Sequence, residues 1–484
     1  MQKKLIAGLF WILLLNLLIK PLWILGIETG VQNAVGPDEY GFYFAIFNLA
    51  YIFNILLDLG VTNFNTRNIA RHPKLIDKHL PDVLGIKLAL LLLYAVVTFT
   101  VGLLSGYNSR QFHLLAVLTL NQFLNSLILY LRSNFEGLML FKWDSVISIL
   151  DRVVMIAICA LMLWGPEPGV TIEGFAYAQT VAYLLTAITA LAVLSVRIRR
   201  EYNPHFSLRT LRLSRPFAIV ILRKSLPFAL LVLLMASYNR IDPLLLSWLH
   251  PAGLHQSGIY AGAFRLLDAL TMVAYLVSVP LLPVFARMTA DNDSALSGTT
   301  RMVTGLMAVF SVTAAATFSL HSHLFMQLLY RDHIEEYAAV FNILVWGIVP
   351  ISMTYVYGTL LTAAGKLRQL NILAATTLLI NIIVNLIAIP RYGSVGSAWA
   401  SLIAQTCMAL AQIWVAFGSL GLKFTVGFLL RLLLFSTATV AVAALLPALP
   451  WWGILLATAA TALAVALPLR LIDLKQIIQS LQEK

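Results

Sequence analysis

Apolar stretches of roughly 20 residues recur along the whole chain, separated by short polar breaks. That length lets an α-helix cross about 30 Å of hydrocarbon. Lipid offers the backbone no hydrogen-bonding partner, so each stretch is expected to be a helix. Of the 484 residues 60% are hydrophobic and 11% are charged, whereas a soluble domain carries about 25% charged residues. A mean hydropathy of +0.86 over this length cannot come from one buried core. A soluble fold is excluded.

Hydropathy gives fourteen candidate spans. Six lie near 5–27, 41–62, 83–104, 112–131, 145–164 and 174–196. A basic stretch, 197–224, follows. A second six lie near 225–248, 258–285, 302–325, 337–361, 369–389 and 394–417, with a last pair at 427–447 and 452–470. The N-terminal run imitates a signal peptide, but no small-x-small cleavage site follows, so an uncleaved first helix is expected.

Charge supplies a direction. A net charge of +12 is compatible with nucleic-acid binding, but the basic residues are spread over alternate loops. With the N-terminus in the cytoplasm, 27 of them fall on the inside and only Arg110, Arg331 and Arg391 on the outside. Lys20, Arg240 and Arg265 remain within helices. That asymmetry is what the positive-inside rule expects, so the charge is topogenic and nucleic acid is not an expected partner. The two cysteines, Cys159 and Cys407, both lie in apolar segments and suggest neither a disulfide framework nor a metal site.

The two six-helix series look like repeats. Gly41-Phe-Tyr43 and Gly258-Ile-Tyr260 open corresponding helices, as do Gly174-Phe-Ala-Tyr-Ala178 and Gly396-Ser-Ala-Trp-Ala400. Phe141-Lys142 corresponds likewise to Gly365-Lys366, and the offsets are 217, 222 and 224 residues. The expected fold is therefore an all-α integral membrane protein of two six-helix lobes plus a C-terminal helix pair. The expected divisions are a lobe at 1–196, a cytoplasmic linker at 197–224, a lobe at 225–417 and an extra pair with tail at 418–484. A parallel repeat of this kind places a substrate site between the lobes.

Val35-Gly-Pro-Asp-Glu-Tyr-Gly-Phe-Tyr43, Leu57-Asp-Leu-Gly-Val61 and Thr66-Arg-Asn-Ile-Ala-Arg71 resemble the N-terminal signature of the polysaccharide transporters. Leu361-Thr-Ala-Ala-Gly-Lys366, Asn381 through Pro390 and Tyr392-Gly-Ser-Val-Gly396 resemble the eleventh and twelfth helices of the same family. These are the Wzx-like lipid-linked oligosaccharide flippases of the multidrug/oligosaccharidyl-lipid/polysaccharide exporter superfamily. The resemblance implies a fold like that of the multidrug-extrusion transporters. It also implies movement of undecaprenyl-diphosphate-linked sugars from the inner to the outer leaflet of a bacterial inner membrane, for surface polysaccharide such as O-antigen. Partners would be that lipid-linked substrate, membrane lipids and polysaccharide polymerase machinery. A monomer would suffice, and no cofactor is expected. One departure is Asn68, which stands where the signature usually has an acid beside Arg67.

Ionisable groups at membrane depth cost about 2.5–3.5 kcal/mol each on insertion scales, so they are candidates for function. Lys20, Arg240 and Arg265 lie roughly 10–12 Å below the outer helix ends, in one layer. Lys20 and Arg240 are 220 residues apart, which matches the repeat, and each precedes a proline, Pro21 or Pro243, expected to bend its helix. One reading is a cationic patch gripping the diphosphate, with Asp242 and Asp268 as supporting charges. The other is an internal ion-pair cluster, with Lys20 snorkelling outward. Arg67 and Arg71 at the cytoplasmic mouth are either topogenic or substrate-gathering. His321 and His323 have no third ligand nearby in sequence, so no metal is expected.

Two other functions compete. A cation-coupled drug exporter of the same superfamily would want a titratable carboxylate in its N-terminal lobe; helix one carries none, and Asp58 lies near the cytoplasmic end of helix two. A polyprenyl-diphosphate-dependent glycosyltransferase or ligase could use Asp38-Glu39. The outer loops, however, are too short to form a second substrate domain. No phosphate-binding G-x-x-x-x-G-K-[ST] loop is present. The expectation is a transporter and not an enzyme.

Overall fold

The computed structural model describes residues 19, 21–166, 169–204, 206, 229–291, 295–423, 425–446 and 449–471, without the side chains of 63, 67, 71 and 78. The apolar stretches are helices, and no strand occurs among the described residues. Contacts divide the chain into two compact units, Met1–Ser247 and Trp248–Lys484.

In the first unit a π-helical stretch, Leu22–Glu28, leads into α1 (Thr29–Ile52). Then come α2 (Val61–Arg71), α3 (Ile76–Leu104), α4 (Ser109–Gly137), α5 (Phe141–Trp164) and α6 (Ile172–Glu201). The unit ends with α7 (Ala229–Arg240) and α8 (Asp242–Leu249). Helix α4 packs on α2 and α6 and is the unit's inner helix, 67% buried over its apolar window, whereas α5 is 22% buried. Asn108 and Gln111 form a reciprocal capping box at the start of α4, and the Thr171 hydroxyl accepts the Gly174 N–H at the start of α6.

The second unit contains α9 (Gly253–Ser278), α10 (Leu281–Ala290), α11 (Leu296–Leu320), α12 (Ser322–Leu329), α13 (Ile334–Leu344) and α14 (Ile348–Ala363). It continues with α15 (Leu367–Leu420), α16 (Val426–Leu445) and α17 (Trp451–Ala466). Helix α11 packs on α14 and on both members of the last pair, α16 and α17.

Leu104, Leu161 and Leu445 are 83%, 69% and 83% exposed. In water such a surface would drive association. In a bilayer it is the ordinary lipid-facing side, and the chain is a multi-pass membrane protein.

Among the described residues ten helices are long and apolar enough to span, or eleven when the bent pair α7 and α8 is one span. The difference from the expected fourteen has visible causes. Helix α1 runs through the predicted boundary of helices one and two, broken only at Gly36 (φ 79°, ψ 169°). Helix α15 runs through the boundary of helices eleven and twelve, broken only at Gly393 (φ 53°, ψ −131°). The last helix, α17, is 16 residues long. At Gly393 the conformation is left-handed, and a Cβ would stand 2.4 Å from Gln256 Oε1. That oxygen accepts from the Ser394 N–H and hydroxyl at 2.8 and 2.7 Å, locking the break.

The segment 28–40, expected as an outer loop, is helical apart from Gly36. Glu28 and Gln32 turn into the protein, 5% and 2% exposed, so their polarity does not meet lipid. Helix α6 continues to Glu201, into the basic stretch that follows the sixth predicted span. Residue 205 and residues 207–224 of the expected linker lie outside the described residues.

Candidate functional site

Helices α7 and α8 meet at a 50° bend over Ile241. Pro243 is the second residue of α8, where a missing N–H costs nothing. Asp242 opens α8 and is fully buried, its carboxylate in the first turn where the helix dipole favours an anion. Arg240 ends α7 with its guanidinium over the Tyr51 ring, 5.1 Å from the centroid. Tyr51 in turn terminates an aromatic row on α1, with Tyr43, Phe47 and Tyr51 stacked at 5.7 and 5.9 Å. This cation–π contact orients Arg240 and contributes on the order of 1 kcal/mol.

Arg265 sits mid-way along α9 and is 9% exposed, with Asp268 about one turn further on. Arg240 and Asp242 thus belong to the first unit, Arg265 and Asp268 to the second. Lys20 and the side chains of Arg67 and Arg71 lie outside the described residues. Pro21 precedes the π-helical stretch. Asn68, the departure from the signature, meets His79 Nε2 through its amide at 3.2 Å.

Three cations counted as loop charges are in fact inside helices and paired. Lys87, fully buried on α3, donates to Asp58 Oδ1 at 2.7 Å, the Leu57 carbonyl at 2.9 Å and Ser126 Oγ at 2.9 Å. Asp58 also accepts the Gly60 and Thr62 N–H groups at 3.2 Å and the Thr62 hydroxyl. The Leu57-Asp-Leu-Gly-Val61 motif is therefore a turn built around a carboxylate that receives a buried lysine. Arg132 on α4 pairs with Asp144 on α5 at 2.7 Å. Arg152 on α5 reaches Asp151 at 3.0 Å and Tyr183 OH at 3.4 Å.

Arg152 is the twelfth of the 24 residues of α5, hence at mid-depth. Asp151 and Arg152 form a charged pair there, and Glu28 is buried on the stretch that packs against α5. The expectation that the first helix carries no carboxylate is corrected here: the helix does not end at residue 27, and Glu28 is part of it. In-span amides bond to neighbouring helices, among them Asn54 to Gln122 at 2.5 Å and Gln179 to Tyr43 OH at 2.9 Å.

At the start of α4, Arg110 forks onto both oxygens of Glu39 at 2.8 and 2.6 Å, and also reaches Glu173 at 2.8 Å. The Asp38-Glu39 pair considered for catalysis thus has one member committed to an exposed ion-pair cluster. Such pairs contribute up to about 1 kcal/mol each.

In the second unit His255, His333 and Glu336 bring potential metal-ligand atoms within 4.8 Å of one another. Both histidines already meet Glu336, at 3.0 and 2.9 Å, and the cluster ties α9 to the start of α13. The two histidines considered from sequence have other contacts, His321 with the Thr317 carbonyl at 3.1 Å and His323 with Glu335 at 3.1 Å.

Residues 5–289 match the family model described as polysaccharide biosynthesis protein. Among solved structures, the chain is similar to a lipid II flippase, MurJ, in an inward closed conformation. The identity is 13% over 99% of this chain and 100% of that one, with a TM-score of 0.70. It is also similar to an inward-facing multidrug resistance transporter of the MATE family in the MOP superfamily, at 16% identity over 83% and 96% of the chains and a TM-score of 0.65. A MATE transporter from Vibrio cholerae shares 17% identity over 87% and 98% of the chains, with a TM-score of 0.55. No curated protein matches the chain in sequence. At these identities the structural likeness shows the fold: that of flippases and multidrug transporters.

Proposed function

The chain belongs to the polysaccharide biosynthesis protein family, and from that premise we propose that it is a lipid-linked oligosaccharide flippase. Its substrate in this reading is an undecaprenyl-diphosphate-linked oligosaccharide, moved from the inner to the outer leaflet by alternating access. Lys20, Arg240 and Arg265 are the diphosphate-binding cations, Asp242 and Asp268 their charge partners, and Pro21 and Pro243 the hinges. Arg67 and Arg71 serve the cytoplasmic mouth. The protein works in a bacterial inner membrane with both termini in the cytoplasm.

The observation that carries this reading is Arg265, nine-tenths buried within a membrane-length helix. A guanidinium is costly there, and its planar fork matches phosphate oxygens. Its partner in the reading, Arg240, is oriented by Tyr51 at a helix bend.

An apolar cavity of about 480 Å³ in the second unit is bordered by Val312 of α11 and by Ser436 and Val440 of α16. In this reading it supports a groove for the polyprenyl tail bordered by α16, the first helix of the C-terminal pair.

Glu28 favours a second element, ion coupling, because a buried carboxylate on a stretch packed against α5 can exchange a proton or a cation. Ion coupling of this kind does not require a drug substrate.

The reading is tested by depleting the protein in cells that make the polysaccharide. Lipid-linked oligosaccharide should accumulate where an externally added glycosidase cannot reach it. Unchanged accessibility on depletion would contradict the proposal. No new glycosidic bond is expected when the purified protein is given labelled sugar donor and lipid acceptor.

A further inference from the structure

Arg301, Arg431 and Arg470 converge on one polar cavity of about 280 Å³ in the second unit, with Thr425 on its wall. Arg301 lies in the second turn of α11, Arg431 in the second turn of α16, and Arg470 four residues beyond the end of α17. Two helices begin and one ends there, so all three cations stand at the same end of the bundle, the end to which the charge asymmetry assigns the cytoplasm. Among the described residues, none lining the cavity is a carboxylate.

Three guanidiniums around one space repel one another, and at Arg301 and Arg431 the positive ends of two helix dipoles add to the cost. An anion in the cavity would offset that repulsion. Phosphate oxygens suit it because each guanidinium presents a planar fork. The volume fits a small group, since drug-sized ligands occupy roughly 300–1,000 Å³.

The approach of the chain at Arg470 is close. A Cβ on Gly305 would stand 2.7 Å from the Leu471 carbonyl oxygen, so a glycine in α11 lets the segment carrying Arg470 lie against it. Beside the cavity, Leu429 and Leu433 of α16 are 56% and 60% exposed, a lipid-facing surface. The anion is therefore met at the edge of the bilayer.

We infer that Arg301, Arg431 and Arg470 form a binding site for the phosphate headgroup of an anionic phospholipid at the start of the C-terminal helix pair. Basic pockets between helices on the cytoplasmic side bind such headgroups by the same chemistry. The site does not depend on the flippase reading.

Native mass spectrometry of the full chain in neutral detergent tests it, with cardiolipin, phosphatidylglycerol, phosphatidylcholine and inorganic phosphate as probes. Arg431→Gln and Arg470→Gln are compared with Lys423→Gln, an exposed cation that does not line the cavity. The anionic lipids should bind the wild type, and each arginine variant should weaken them about ten-fold, as expected for one charge-assisted contact. Lys423→Gln should leave binding unchanged. The arginine side chains are exposed and repel one another, so no variant should lower the unfolding temperature without lipid. Equal weakening by all three variants would reduce the effect to general surface charge and overturn the site. Saturation by inorganic phosphate without preference for the lipids would overturn the lipid assignment.

Discussion

Replacing Lys87 with methionine is expected to destabilise the protein by about 3–5 kcal/mol, the usual cost of removing one partner of a buried ion pair. The ammonium has three donors, and the structure uses all three, on Asp58, the Leu57 carbonyl and Ser126. A methionine of similar length fills the space but leaves the Asp58 carboxylate and a carbonyl without their strongest donor. Whole domains are stable by only about 5–15 kcal/mol, so the variant should lose most of its folded yield and unfold at clearly lower temperature in detergent. Asp58→Asn should cost less than Lys87→Met, because an amide oxygen at Oδ1 still accepts from Lys87 and the Thr62 N–H and only the Gly60 N–H loses its acceptor. The double variant should be more stable than the sum of the two losses, since the groups are in contact. Wild-type unfolding by Lys87→Met would show that the pair contributes nothing to the first unit.

The second large effect concerns transport. Arg265→Ala should reduce flipping by about ten-fold or more, because a hydrogen bond to a charged group contributes about 1.5–3 kcal/mol. Arg265→Lys should recover part of the rate, since it restores the charge but not the bidentate fork. Arg240→Ala should fall in the same range, and Tyr51→Leu should lower transport less, because it only releases the guanidinium from the ring. All these variants need to be compared at equal membrane insertion. Wild-type transport in Arg240→Ala, Arg265→Ala and Lys20→Ala alike would remove the cationic site and leave these residues as structural charges.

Much of the fold was legible because lipid imposes a simple rule: apolar runs of fixed length form helices. The breaks were legible where glycine and proline fall together, as at Gly36-Pro37 and at Gly393 after Pro390. Less visible was the inward face of a helix. Glu28 and Gln32 looked like loop residues because hydropathy does not distinguish a polar group facing lipid from one facing protein. Lys87, Arg132 and Arg152 count with the loops for the same reason; Lys87 and Arg132 find partners on a turn and a helix elsewhere, and Arg152 pairs with its neighbour Asp151 and reaches Tyr183 on α6. The tally of 27 inside charges therefore includes three that hold helices together rather than orient them.

The candidate sites divide along the same line. Arg240 beside Pro243 and Arg265 beside Asp268 stand out in sequence, since each is an isolated charge in an apolar run. The ring beneath Arg240 comes from Tyr51, nearly 190 residues away, and no local pattern announces it. Arg301, Arg431 and Arg470 looked like three ordinary inside charges until α11, α16 and α17 brought them to one cavity. His255 and Glu336 likewise meet only through the packing of α9 on α13.

The central claim is that this chain moves a lipid-linked oligosaccharide across a bilayer. It is tested most directly with the purified protein in liposomes carrying a labelled undecaprenyl-diphosphate oligosaccharide in both leaflets. A glycosidase added outside should first remove about half of the label and then, as the protein resupplies the outer leaflet, nearly all of it. Protein-free liposomes should stop at the first half. The same plateau with the wild-type protein present, in either direction of an imposed proton or sodium gradient, would contradict the account.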